Sequence, residues 1–89
     1  MKYYVYILES RKDFSYYIGY SINLANRLNE HNHGSTRYTS GKRPWSLVYQ
    51  EEFTSKKDAL KRERFLKKQR NREFYARLIA EYRVKNSQE

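Results

Sequence analysis

Short apolar runs dominate the first half of this chain, and helical spacing of apolar residues dominates the second. Tyr3 to Leu8 is made of aromatic and β-branched or aliphatic residues and predicts a strand. The polar stretch Glu9 to Asp13 predicts a turn. Tyr16 to Tyr20 predicts a second strand, closing an antiparallel hairpin over a connection longer than a tight two-residue turn. Asn23 is placed to cap a helix running to about His33, with Gly34 just past its end. Gly34 to Pro44 is polar with two glycines and predicts a long loop, a feature that in small domains is usually functional or mobile. Trp45 to Tyr49 is the third strand candidate. From Glu51 onward there is neither glycine nor proline, so the second half should be mostly helical. Ser55-Lys56-Lys57-Asp58 reads as a capping box opening a second helix to about Lys68. Asn71 can cap a third through Tyr82, with an apolar stripe of Phe74, Leu78 and Tyr82 widened by Tyr75 and Ile79.

The resulting order is β-β-α-β-α-α. It predicts an α+β fold, a small three-stranded and mainly antiparallel sheet flanked by helices. Residues 1–83 form one domain in this reading, and 84–89 a frayed C-terminal tail. Neither an internal repeat nor a low-complexity block is present.

Some polar residues fall where apolar ones belong. At about 100° per residue, Leu24 and Leu28 set the inward direction of the first helix. His31 falls between them in angle, and Arg27 lies on the flank. In the second helix, Ala59, Leu60 and Leu66 set the buried face, and Glu63 projects into their arc. Burying charge is costly unless the group is paired or binds a metal. A structural Arg27–Glu63 ion pair would explain the pattern, as would head groups reaching water from the helix ends. A functional site explains it equally well. Tyr6 and Tyr17 lie on adjacent strands of the hairpin. Any one tyrosine is most simply core packing, but two hydroxyls converging with Arg27, His31 and Glu63 are harder to explain that way.

Composition sharpens the choice of partner. The chain has 89 residues, one domain's worth, and ten Tyr, four Phe and one Trp supply much of its packing area. Its formal net charge is +9, from 19 Lys and Arg against 10 Asp and Glu. Such a charge concentrates polyanions, so nucleic acid leads and an anionic membrane surface follows. No segment approaches the roughly 20 apolar residues needed to span a bilayer. There is no cysteine, which excludes disulfides and thiolate metal sites. The apolar run at the N-terminus is too short for a signal peptide, and a cytoplasmic location is the expectation.

Tyr4-Val5-Tyr6, ten intervening residues, and then Tyr17-Ile18-Gly19 resemble the two halves of the GIY-YIG signature. The pattern continues through Asn23-Leu24-Ala25-Asn26-Arg27, His31 four residues on, Tyr38-Thr39 in the loop, Pro44 entering a strand, and Glu63 in the second helix. The resemblance covers roughly residues 2 to 68. Within the superfamily the chain is most similar to small stand-alone bacterial members related to the nuclease domain of the excision-repair C subunit and to branched-DNA endonucleases. Tyr4 stands where the signature has its first glycine, and the family's usual late polar residue beyond the Glu has no clear match, Gln69 and Asn71 being the nearest.

The resemblance implies a divalent-metal-dependent endonuclease that hydrolyses phosphodiester bonds in DNA, with RNA left open as a substrate and a role in DNA repair or recombination. Glu63 would be the only protein ligand of Mg²⁺ or Mn²⁺, a hard-cation site completed by waters and a phosphate oxygen. Arg27 would hold the scissile phosphate. Tyr6 would serve as general base, with Tyr17 positioning water or phosphate. A free tyrosine titrates near 10, so His31 taking the proton is an equal alternative. His31 and His33 as a metal pair is disfavoured, because residues two apart on a helix point in different directions.

Between Lys56 and Arg72 there are nine Lys or Arg and only two acids. Lys57, Lys61, Arg64 and Lys68 share a face away from the apolar stripe, either a solvated face or a phosphate-contacting one. Arg37, Lys42 and Arg43 add charge in the loop, where Tyr38 is placed to stack on an unpaired base. None of these reads sequence, so binding should be structure-guided or weakly sequence-specific, with partner proteins directing it. The alternative is a catalytically inactive nucleic-acid-binding module of the same fold. Neither the preferred DNA structure nor the oligomeric state is specified.

Overall fold

Successive residues of a strand face opposite sides of its sheet. From Val5 to Leu8 every side chain is apolar or aromatic and buried. A strand of that kind must be covered on both faces. In the computed structural model, which describes residues 1–34 and 37–87 except for the side chains of 37 and 38, this is what the chain builds. The first strand, β1 (Tyr3–Ser10), lies between β2 (Tyr16–Ser21) and β3 (Trp45–Phe53), antiparallel to both. Val5 and Ile7 join Ile18, Tyr49, Ala59, Leu66, Tyr75 and Ile79 in one core. Tyr6 and Leu8 join Trp45 in a second, smaller one beneath Leu24 and Leu28.

The helices sort by these two cores. The α1 helix (Leu24–Asn32) covers the Tyr6 face. Helices α3 (Lys56–Gln69) and α4 (Arg72–Ser87) cover the Val5 face, α3 over β1 and β2 and α4 against β3. Observed order therefore matches the predicted β-β-α-β-α-α, with one addition. The long loop contains a single helical turn, α2 (Arg37–Ser40).

The predicted caps are present. Asn23 accepts from the Asn26 amide, Ser55 from the Asp58 amide, and Asn71 from the amides of Glu73 and Phe74. Other boundaries moved. The β3 strand runs four residues past the predicted Tyr49, because it pairs along all of β1. A register shift opposite Ile7 and Leu8 places Val48 and Tyr49, neighbours in sequence, in the same core. The α4 helix continues to Ser87, so residues 84–87, expected in a frayed tail, are helical. Its buried centre is Tyr75 and Ile79, while the expected stripe of Phe74, Leu78 and Tyr82 is only half-buried.

Candidate active site

The site begins with a missing side chain. Gly19 lies directly across from Tyr6 in the β1–β2 register, on the same face. A Cβ there would overlap the Tyr6 hydroxyl and the ring carbon that carries it. Without one, the Tyr6 ring lies over the edge strand β2, and its hydroxyl reaches His31. The separation from Tyr6 Oη to His31 Nε2 is 3.2 Å. The other ring nitrogen, Nδ1, is 2.9 Å from Thr39 Oγ1. Thr39 itself is held under Trp45, whose indole N–H donates to the Thr39 carbonyl at 2.9 Å. Asn32 locks this arrangement to the sheet: its side chain accepts from the Trp45 amide at 2.6 Å and donates to the Trp45 carbonyl at 3.1 Å.

Tyr17 completes the aromatic box. Its ring centroid is 4.7 Å from that of His31 and 6.4 Å from that of Tyr6. Tyr6 and His31 are fully buried behind Tyr17, which is half-buried.

Arg27 and Glu63 approach from opposite layers. Arg27 is half-buried on α1 and pairs with Glu30 at 3.5 Å. Glu63 is on α3, only 16% exposed, and pairs with Lys67 at 3.1 Å. Each pairs along its own helix, so the Arg27–Glu63 structural ion pair that periodicity allowed is not how their charge is balanced. Both charges are nevertheless felt at the Tyr6 hydroxyl: the guanidinium favours the phenolate and the carboxylate opposes it. Both groups are within electrostatic reach of Tyr6, Arg27 from the α1 layer and Glu63 from the α3 layer on the other face of the sheet.

Electrostatics decides the protonation states. Burial pushes the Tyr6 phenol well above its ordinary value, Tyr17 adding to the effect, and the lowering by Arg27 does not overcome it. Burial, with Arg27 second, pulls His31 below its ordinary value, so the ring is neutral at neutral pH. A neutral imidazole has one N–H. If Tyr6 donates to Nε2, the proton is on Nδ1 and is donated to Thr39. Sequence reasoning named His31 but gave Thr39 no task. A threonine in a polar loop carries no periodic signal, and its partner is eight residues away.

A hollow of about 430 Å³ opens beside the box, lined by Tyr16, Tyr17, Ile18, Lys67, Arg70 and Tyr75. It joins two aromatic strand residues to two cations at the end of α3. Lys67 and Arg70 were not singled out from the sequence, where they merge into the run of basic residues. Lys57, Lys61, Arg64 and Lys68 are exposed, on the side of α3 turned from Ala59 and Leu66. Arg43 is exposed, its Nε donating to the Ser40 carbonyl at 2.9 Å. Lys42 has a structural task, pairing with Asp13 at 3.5 Å and donating to Ser15 Oγ at 3.3 Å. The side chains of Arg37 and Tyr38 lie outside the described residues. His31 and His33 diverge, His33 Nδ1 bonding the Asn29 carbonyl, and no group of three or more His, Asp or Glu is assembled among the described residues.

The sheet order and the helices on its two faces define a small α+β domain, and comparison with known proteins gives its family. The GIY-YIG catalytic domain model matches residues 2–77, and the chain belongs to the GIY-YIG family of nuclease domains. It is 49% identical over 63 residues to a UPF0213 protein of Staphylococcus haemolyticus, covering 70% of this chain and 76% of that one. It is 43% identical over 70 residues to a UPF0213 protein of Streptococcus pneumoniae, covering 78% of this chain and 70% of that one. The solution NMR structure of UPF0213 protein BH0048 from Bacillus halodurans is similar with a TM-score of 0.55 at 36% identity, over 90% of this chain and 84% of that one.

Proposed function

We propose that this protein is a divalent-metal-dependent endonuclease that hydrolyses DNA phosphodiesters with little sequence preference, in DNA repair or recombination. The observation that carries the reading is the Tyr6 hydroxyl placed against a buried, neutral His31, within the fields of Arg27 and Glu63.

The roles follow from the protonation states. Tyr6 holds its proton too tightly to act as a phenolate, so it works as a relay. Its oxygen takes a proton from the attacking water while its own passes to His31 Nε2, and Thr39 keeps the ring oriented. The water oxygen forms the new bond to phosphorus, the bond from phosphorus to the leaving oxygen breaks, and that oxygen is protonated from solvent. Arg27 opposes the charge gathering on the phosphate. Tyr17, the more exposed phenol, holds the water or a phosphate oxygen. Glu63 suits Mg²⁺ or Mn²⁺: it is a hard oxygen donor, largely shielded, and belongs to no cluster of three or more His, Asp or Glu among the described residues, which matches a cation keeping most of its waters. Such a cation, when bound, would stabilise the leaving oxygen.

The test is cleavage of duplex, nicked, flapped and branched DNA with Mg²⁺ or Mn²⁺. Glu63→Gln and Tyr6→Phe should abolish cutting while binding survives. Variants that cut like the parent would show the site to be misassigned. Salt-sensitive binding with no cutting by the parent on any substrate would favour the inactive binding module.

A further inference from the structure

The turn between β1 and β2 carries a phenylalanine in a conformation that phenylalanine rarely adopts. Phe14 has φ of 63°, the left-handed region, and is 54% exposed. Single exposed apolar residues are common and need no explanation. A bulky residue with positive φ is an outlier that persists only where its surroundings over-determine it.

The surroundings do so here. The buried Ser10 hydroxyl accepts from the amides of Lys12 and Asp13 and donates to the Lys42 carbonyl at 2.7 Å. The Phe14 amide donates to the Ser10 carbonyl, and the Arg11 amide to the Pro44 carbonyl at 2.8 Å. Asp13 accepts from the Ser15 amide and hydroxyl, bonds that hold its carboxyl well below the usual range, and it pairs with Lys42. The turn is thus welded to the 41–44 loop, and none of these bonds uses the Phe14 side chain. Glycine or asparagine would fit the backbone better.

The turn and the loop joined to it carry four cations and two acids, Arg11 pairing with Glu9 at 3.4 Å and Lys42 with Asp13 at 3.5 Å, which leaves the charges of Lys12 and Arg43 in excess. Phe14 is also three residues from Tyr17, in the turn that leads into β2. Trp45, which pairs with Ser10, packs against Tyr17 with centroids 6.3 Å apart. The turn therefore closes the end of the sheet at which Tyr17 and Trp45 lie.

We infer that Phe14 is a nucleobase-stacking residue, which engages an unpaired base where single-stranded DNA meets duplex and so places the junction against the site. An aromatic face beside cations accepts any base and makes recognition depend on unpairing rather than sequence. The inference rests on the nuclease reading for its substrate but not on catalysis.

The test uses the full chain in chelator at fixed salt, with two labelled DNAs: a blunt duplex, and the same duplex with a short overhang carrying 2-aminopurine. The parent should bind the overhang DNA more tightly and change the 2-aminopurine fluorescence. Phe14→Gly and Phe14→Asn should lose about tenfold in overhang affinity, keep blunt-duplex affinity within about twofold, and show an unchanged or higher Tm. Phe14→Trp should restore overhang binding. Equal affinity of parent and variants for the overhang DNA would overturn the inference, as would parallel losses on both DNAs or a lower Tm, which would mark Phe14 as structural. A parent that binds neither DNA would sink the nuclease reading as well, whereas a parent that binds both equally sinks this inference alone.

Discussion

At residue scale, the Tyr6–Gly19 contact and the state of His31 each predict a measurable effect. An alanine Cβ at position 19 meets the phenol oxygen and its ring carbon. Gly19→Ala should therefore destabilise by about 1–3 kcal/mol, the usual cost of overpacking. Removing the hydroxyl relieves part of that overlap, so Gly19→Ala combined with Tyr6→Phe should cost less than the sum of the single variants in urea denaturation. Strict additivity would mean that Tyr6 does not lie over Gly19. His31 has a folded pKa below its ordinary 6.5. The unfolded chain then takes up a proton first, and the stability from burying neutral His31 is complete above about 6.5 and drains as pH falls toward the folded value. Urea midpoints of the parent should fall between about pH 7.5 and about pH 5.5, and those of His31→Gln should fall less. Cleavage, needing the neutral ring, should persist below the ordinary histidine pKa before it drops. An acid limb lying above about 6.5 would contradict the depressed value.

At element scale, α3 shows both what the sequence makes legible and what it hides. Its start was readable from Ser55 and Asp58, and Glu63 was readable as an acid in an apolar arc, because caps and helical period are local. The layer α3 occupies was not, since an amphipathic stripe does not say which face of a sheet it will meet. Glu63 therefore lies in the layer on the other face of the sheet from Tyr6, a placement no spacing encodes. His31 was legible by its angle on α1, while Thr39, Asn32 and the αL turn at Phe14 depend on contacts between segments distant in sequence. Lys67 belongs with these, because one basic residue among nine looks like any other. Its ammonium sits 3.1 Å from Glu63 and must yield if a cation is to bind. Lys67→Ala should consequently lower the Mg²⁺ concentration giving half-maximal cleavage, severalfold in a surface-exposed pair of this kind. A metal requirement unchanged or raised in that variant would mean that Glu63 is not the ligand.

At the scale of the whole molecule, the +9 charge offers a duplex two sets of cations on α3 and its C-terminal cap. The exposed row Lys57, Lys61, Arg64 and Lys68 lies on the side of α3 turned from the sheet. The Lys67–Arg70 pair lines the hollow beside Tyr17. The hollow shares Tyr17 with the candidate site, which favours it as the path of the scissile strand. Arg70 supports this by its backbone: it occupies the αL position that ends α3, with φ of 44°, where glycine is the easier choice, and the Tyr75 hydroxyl accepts from its amide. Removing a cation that touches one phosphate lowers the slope of log affinity against log salt by about 0.9. Arg70→Gln should therefore flatten the slope for overhang DNA by about one and raise KM for cleavage. The Lys57→Gln/Lys61→Gln pair should change cleavage little, with any flattening confined to DNA that is bound but not cut. If the pair flattens the slope and slows cleavage while Arg70→Gln does neither, the scissile strand runs along the outer face of α3. Glu63, turned inward from that face, would then be a structural acid rather than part of the cutting machinery.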